Sequence, residues 1–166
     1  MHRQLEEAFI RFPMKKKVAE ALLRYGLRVS RNGAILCDEI EISPAKMARA
    51  LDIDRRVVIE TANMIAGNDA LFEFFSELRP TAFLGKAAKL LGFEVIVIEA
   101  DPHATGIVSS VSRITAKEGI CIRQIVADDP DIYPNPKLTV ILEKPLSGKA
   151  IDKLRRIKGI TRITIG

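Results

Sequence analysis

The sequence predicts an α+β protein with a mainly helical first half and a second half that mixes strands and helices. Up to residue 92, apolar residues recur at helical spacing between Pro and Gly interruptions. Beyond it, Val- and Ile-rich runs and two helical stretches follow the order strand, helix, strand, strand, helix, strand. We therefore predict domains at residues 1–92 and 93–166.

The first helices are marked by their breakers. Pro13 should end an opening helix, and Gly26 should end the next one. The predicted buried face of that second helix consists of Met14, Val18, Ala21, Leu22 and Tyr25.

A short hairpin and a further strand come next. Asn32-Gly33 is the pair best suited to a type I′ turn, so residues 28–31 and 34–37 should form a hairpin. Ile40 and Ile42 alternate with acids and indicate another brief strand.

Residues 43–65 have the pattern of two crossed helices. Ser43 suits an N-cap and Pro44 the first helical position, while the break at residues 52–54 has the length of a tight turn that Asp54 can cap. The residues predicted to face the core are Ala45, Ala48, Leu51, Val57, Val58, Ala62 and Ile65.

This is a (winged) helix-turn-helix-like pattern, in which the second helix enters the major groove of double-stranded DNA. Arg55 and Arg56 could read guanine or hold phosphates, and Lys46 and Arg49 could neutralise backbone charge. The predicted DNA-binding residues are Lys46, Arg49, Arg55, Arg56, Glu60 and Asn63. The alternative is that these side chains form only the solvated basic face of a small helical domain.

Two more helices are predicted at residues 69–79 and 82–91, on either side of Pro80. The apolar residues of the first are expected in the core or in a dimer contact.

The second half is predicted to form the ferredoxin-like split βαβ unit, four antiparallel strands with both helices on one face. Strands are expected at residues 93–99, 120–127, 138–142 and 159–165, with helices beginning at Ile107 and near Ala150. The other face of such a sheet would carry an apolar patch of the kind that marks association.

Residues 93–166 resemble an ACT domain, a small ligand-sensing module. The resemblance lies in Glu99-Ala100-Asp101 at the end of the first strand, the turn at residues 102–106, the helix opening Ile107-Val108, and residues 119–122. With LDIDRRVV and LRPTA in the first half, the whole chain resembles an archaeal family described as predicted regulators of amino-acid metabolism with an ACT domain.

The resemblance implies that an effector, an amino acid, binds where two ACT domains meet, at the turn after the first strand. By position, the implied effector-binding residues are Asp101, His103, Ala104, Thr105, Gly106 and Ile107, joined by Arg123, Gln124 and Ile125 of the same or a neighbouring subunit. Many ACT domains have Pro before the turn glycine, where this chain has Thr105.

Composition supplies little for catalysis. The chain has 166 residues, a net charge of +5 and two histidines, His2 and His103. Cys37 and Cys121 are isolated and are interpreted as packing residues. The acids Asp128, Asp129 and Asp131 lie among prolines and are interpreted as a solvated loop. We expect no enzyme activity, cofactor or metal.

Two functions suit these features. The first is an amino-acid-responsive transcription regulator that forms a homodimer or higher homo-oligomer through its ACT domain. The second is a regulatory subunit that docks on a biosynthetic enzyme without binding DNA. RNA binding is disfavoured because the third strand, KLTVILE, lacks a stacking aromatic, and catalysis is disfavoured for want of motifs. No apolar run reaches the ~18 residues of a membrane helix, so a cytoplasmic protein without a membrane partner is expected.

Overall fold

A computed structural model describes residues 3–166 and divides them into two compact units at Ala82/Phe83. His2 lies outside the described residues. The first unit is mainly helical with a small sheet, and the second is a sheet with helices, so the α+β class is confirmed. The division falls ten residues before the predicted one, because residues 83–92 pack within the second unit.

Over the described residues 3–82, the first unit has five helices and a three-stranded antiparallel sheet of order β1-β2-β3. Its elements are α1 (Arg3–Phe9), α2 (Pro13–Tyr25), β1 (Arg28–Val29), β2 (Ile35–Cys37), β3 (Ile40–Glu41), α3 (Pro44–Leu51), α4 (Arg55–Gly67) and α5 (Asp69–Ser76).

The break at Pro13 and the end of α2 at Gly26 lie where the sequence predicts them. Val18, Ala21 and Leu22 are buried as expected. Met14 and Tyr25, however, are 49% and 60% exposed. Both have the predicted helical phase but stand at the two ends of α2, where the core no longer covers them.

The hairpin forms, but its turn is not type I′. Gly33 has a φ of 78°, whereas Asn32 is not among the residues with positive φ. The Gly33 N–H donates to Ser30 O at 2.9 Å and the Ser30 N–H donates to Ala34 O at 3.0 Å. This is the three-residue loop in which a type I turn is followed by a left-handed glycine.

Arg31, at the tip of this hairpin, fixes it against the helices. Its guanidinium lies 2.9 Å from Asp69 Oδ1 and 3.3 Å from Ala66 O, and 3.8 Å from the centroid of the Phe72 ring. The tip therefore lies over the carboxyl end of α4 and the start of α5.

The second unit begins with a 3₁₀ segment at Gly85–Leu91, where the sequence predicts a helix over 82–91. The remaining elements are β4 (Glu94–Ala100), α6 (Ile107–Lys117), β5 (Ile122–Ala127), β6 (Lys137–Leu142), α7 (Gly148–Arg155) and β7 (Ile160–Ile165). The four strands are antiparallel in the order β5-β6-β4-β7, which is the split βαβ arrangement.

The two faces of this sheet are covered differently. One face carries the main core, in which Ile96, Ile98 and Val140 pack with Val111 and Leu154 of the helices. On the other face the 3₁₀ segment packs its buried Ala88 against Val95 and Ile141. Part of the apolar patch expected to mark association is thus covered within the unit itself.

Within residues 3–166 no helix has both the length and the apolar character needed to cross a bilayer. Over the same residues, no group of three or more His, Cys, Asp and Glu side chains could hold a metal ion. Cys37 packs partly against the core of the first unit, but Cys121 is exposed, so its prediction as a packing residue is wrong.

Candidate functional site

Helices α3 and α4 are joined by a three-residue turn, and each end of the turn has a local cause. Asp52 has a φ of 52° and ends α3 in the left-handed conformation. Asp54 starts α4, because its carboxylate accepts a hydrogen bond of 2.7 Å from the Arg56 N–H. Ser43 occupies the predicted cap position of α3, but its side chain forms no capping hydrogen bond.

The buried side of the helix pair is built around α4. Val58, Ala62 and Ile65 are almost fully buried, as predicted. On α3 the buried residues are Met47 and Ala48. Ala45 is exposed, so its predicted core position is wrong, since it lies in the first turn, ahead of the contact with α4.

Thr61 is a core residue that hydrophobic pattern reading missed. It is completely buried, and its hydroxyl donates to Val57 O at 2.6 Å. A buried hydroxyl that bonds the preceding turn of its own helix is satisfied without another partner.

Four of the predicted DNA-binding residues are exposed cations on the helix pair, namely Lys46, Arg49, Arg55 and Arg56. Among residues 3–166, none of the four forms an ion pair with a carboxylate. Their charges are therefore available to a polyanion.

The other two predicted residues, Glu60 and Asn63, have protein neighbours. Glu60 Oε2 lies 3.2 Å from Lys15 Nζ, which comes from α2. Asn63 Oδ1 lies against the hairpin turn, so closely that a Cβ at Gly33 would collide with it. The first two turns of α4 are therefore accessible to a DNA groove. Beyond them, from Asn63 onward, the hairpin tip lies against the helix.

The predicted effector turn leaves the carboxyl end of β4. The Asp101 side chain accepts a hydrogen bond of 2.9 Å from the His103 N–H, and Gly106 caps α6 with a φ of 81°. His103 and Thr105 are exposed, whereas Ile107 is buried in the core of the unit.

The base of this turn is packed closely against the residue before β7. The Asp101 N–H donates to Gly159 O at 2.9 Å, and a Cβ on Gly159 would collide with the Cβ of Ala104. The backbone of Asp101 and the side chain of Ala104 therefore hold the base of the turn against the fold, while the side chains of Asp101, His103 and Thr105 are exposed.

The remaining predicted effector residues lie elsewhere on the sheet. Gln124 pairs with Ile141 of β6, which in turn pairs with Val95 of β4. Val95 lies five residues before Ala100, the last residue of β4 before the effector turn. At about 3.3 Å per residue, the two groups are separated by ~17 Å along the strand. One chain cannot form a single small-molecule site from both groups.

The three predicted residues on β5 do not share one face of the sheet, and the strand is irregular between Ile122 and Gln124. The Arg123 guanidinium lies 5.1 Å from the centroid of the Phe93 ring. Gln124 Oε1 accepts from the Leu84 N–H at 3.0 Å, whereas Ile125 packs on the helix side of the sheet. Because successive side chains of a strand point to opposite faces of the sheet, the Gln124 and Ile125 side chains cannot line the same site.

The effector turn and the predicted residue Arg123 of β5 each border a cleft of the second unit. A cleft of about 480 Å³ near the effector turn is lined by Glu99, Ala100, Pro102, Pro134, Asn135, Pro136, Lys137 and Thr161. Another, of about 450 Å³, is lined by Leu84, Leu91, Phe93, Cys121, Ile122 and Arg123.

Sequence reasoning missed the polar residues of the first cleft. Lys137 Nζ lies 3.6 Å from Glu99 Oε1, and the Thr161 hydroxyl donates to Glu99 O at 3.0 Å. Only the strand register brings these three residues together, and no local motif indicates it.

Comparisons with known proteins assign no family. No protein-family model matches the chain, and no curated protein matches it. Among solved structures, the chain is similar to the solution structure of the C-terminal domain of the MgtC protein from Mycobacterium tuberculosis. The identity is 18% and the TM-score 0.35, over 45% of this chain and 83% of that domain. A similarity of this size does not assign a fold or a function.

Proposed function

We propose that the chain is an amino-acid-responsive transcription regulator. Its first unit would bind double-stranded DNA through α3 and α4, and its second unit, an ACT-like domain, would bind a small effector between paired copies. The observation that carries the proposal is a pair of packed helices, α3 and α4, joined by a three-residue turn, whose four exposed cations form no ion pair among residues 3–166.

The DNA-binding part follows from size and charge. A helix with its side chains is about 10–12 Å across, which fits the major groove of about 12 Å. Arg55 and Arg56 stand in the first turn of α4, from which helix-turn-helix proteins contact base edges. Lys46 and Arg49 on α3 supply positive charge for the phosphates at the edge of the groove.

The effector part rests on the turn at residues 101–107. The first backbone N–H groups of α6 have no partner within the helix, and their positive dipole end favours a carboxylate. The exposed Thr105 and the glycine at 106 leave few side-chain atoms around the approach to these groups. An amino acid bound here would place its carboxylate at the helix and its side chain toward the neighbouring copy.

Pairing of two copies is part of the proposal for a geometric reason. Arg123 and Gln124 lie ~17 Å along the strand from the turn of their own chain. They can contribute to an effector site only if β5 of one copy approaches the turn of another. Effector binding would then favour one arrangement of the copies, with a coupling of about 1–3 kcal/mol to DNA binding.

The second candidate is a regulatory subunit that docks on an amino-acid biosynthetic enzyme. One observation favours it. Ile59 of α4 is 38% exposed and Ile40 of β3 is 70% exposed, and exposed apolar side chains suit a protein surface better than a phosphate backbone.

Fluorescence anisotropy with duplex DNA separates the two candidates. The double variant Arg55→Ala, Arg56→Ala should weaken binding at least tenfold and should reduce the salt slope by about 0.9 for each phosphate that is no longer neutralised. The matched control removes two exposed cations of the second unit, Lys149→Ala with Lys153→Ala, and should bind like the wild type. Equal binding by both variants, or none by the wild type at low salt, would exclude DNA reading by α4.

The effector is identified by a thermal-shift screen against the twenty amino acids. A ligand at 100 times its Kd should add about 2.7 kcal/mol to the stability of the folded protein. The DNA titration is then repeated with that amino acid. The absence of any shift, or of any change in DNA affinity, would refute the sensing role.

A further inference from the structure

Glu60 is the one acid among the predicted DNA-binding residues, and it lies in the second turn of the helix proposed to enter the groove. Its side chain is 61% exposed. A carboxylate that faces DNA is repelled by the phosphates, but in the major groove it can accept a hydrogen bond from the amino group of cytosine. Glu60 would therefore either weaken DNA binding by repelling the phosphates or contribute to base recognition.

The ion pair between Glu60 and Lys15 favours the second role, because it offsets the negative charge of the carboxylate. Lys15 Nζ lies 3.2 Å from Glu60 Oε2, and the Lys15 side chain is only 21% exposed. The same ammonium lies 5.1 Å from the centroid of the Phe12 ring. A lysine confined between an aromatic ring and a carboxylate is held in place, unlike a lysine free to move in solvent.

We propose that Glu60 reads a cytosine in the major groove and that Lys15 makes this possible by neutralising the carboxylate. The inference rests on the proposed function and adds to it a preferred base pair and a positioning residue outside the helix pair. Lys15 touches Glu60 from α2, so that its charge cancels the repulsion of the phosphates while most of the carboxylate stays open to the groove.

The experiment uses the full chain and a pool of duplexes with randomised centres. Selection with the wild type should yield a motif containing a fixed C·G pair, and selection with Glu60→Ala should lose the preference at that one position. Lys15→Met should weaken binding to the selected duplex about tenfold, since it leaves an uncompensated carboxylate in the interface. Adding Glu60→Gln to Lys15→Met should restore most of that loss.

Lys17→Met is the matched control, because Lys17 is an exposed lysine of the same helix that forms no ion pair among residues 3–166. It should change affinity by no more than about twofold. Far-UV circular dichroism should be unchanged in all variants, and the loss of stability in Lys15→Met should stay small, because Glu60 is 61% exposed although Lys15 is only 21% exposed.

Two results would overturn the inference while leaving DNA binding intact. One is a selected motif unaffected by Glu60→Ala, and the other is a Lys15→Met variant that behaves like Lys17→Met or is not rescued by Glu60→Gln. Failure of the wild type to bind any duplex at low salt would overturn the inference together with the proposed function.

Discussion

At the scale of single residues, the start of a helix depends on whether a suitable side chain reaches the backbone. Ser43 and Asp54 both stand at a helix start and both have extended φ and ψ values. Only Asp54 accepts a hydrogen bond, at 2.7 Å from the Arg56 N–H. The two positions look equivalent in the sequence, yet only one is capped.

This difference gives a paired prediction. Asp54→Ala should lower the free energy of unfolding of the first unit by about 1 kcal/mol, because it removes the cap and a negative charge from the positive end of α4. Ser43→Ala should change it by no more than a few tenths of that amount, since that side chain makes no capping bond. Urea denaturation followed by circular dichroism measures both, and equal effects would contradict the assignment of the caps.

At the scale of elements, α1 is joined to α2 by an ion pair. Lys16 Nζ donates to Glu6 Oε1 at 2.6 Å. This hydrogen bond, together with the positive charge of Lys16, holds the pKa of Glu6 below its ordinary value of 4.5. The hydrogen bond to Glu6 likewise raises the pKa of Lys16, against the opposing effect of partial burial.

The pH dependence follows from the lowered pKa of Glu6. The stabilisation is fully present above the pKa of Glu6 in the unfolded chain, and it is lost as the pH falls through the lower pKa of the folded protein. Glu6→Gln should therefore melt below the wild type at neutral pH, and the two melting temperatures should converge as the pH falls below the ordinary pKa of 4.5 and through the lower pKa of Glu6 in the folded protein. A difference that stays constant over this range would show that the ion pair is not its cause.

At the scale of the whole molecule, the two compact units each have a core of their own. Residues 83–92 belong to the second unit, because Ala88 packs on Val95 and Ile141 and the Leu84 N–H donates to Gln124. Removing them would expose the apolar face of the sheet opposite α6 and α7.

Fragments test this boundary. Fragment 83–166 should fold cooperatively, whereas fragment 93–166 should be less stable and should bind the dye ANS, because Val95 and Ile141 lose their cover. Fragment 1–82 serves as the control for independent folding of the first unit. Equal stability of fragments 83–166 and 93–166 would place the boundary where the sequence suggested, at residue 92.

Local sequence was enough to predict the α+β class, the order of the elements and most helix ends. Apolar periodicity and the breakers Pro13 and Gly26 act within a few residues, so they can be read from a single chain. The turn between α3 and α4 was predictable for the same reason. For Asn32-Gly33, local preference indicated a hairpin but not its type, which the hydrogen bonds of Ser30 settled.

Which side chains are buried and which contact each other was decided only by the tertiary structure of each unit. Met14 and Tyr25 are in helical phase but lie past the ends of the core. Gln124 contacts Leu84 on one face of the sheet, whereas Ile125 packs with the helices on the other face. Lys15 meets Glu60, far along the chain, because α2 packs on α4. Such contacts arise from strand register and helix packing, which depend on the whole unit and leave no local pattern in the chain.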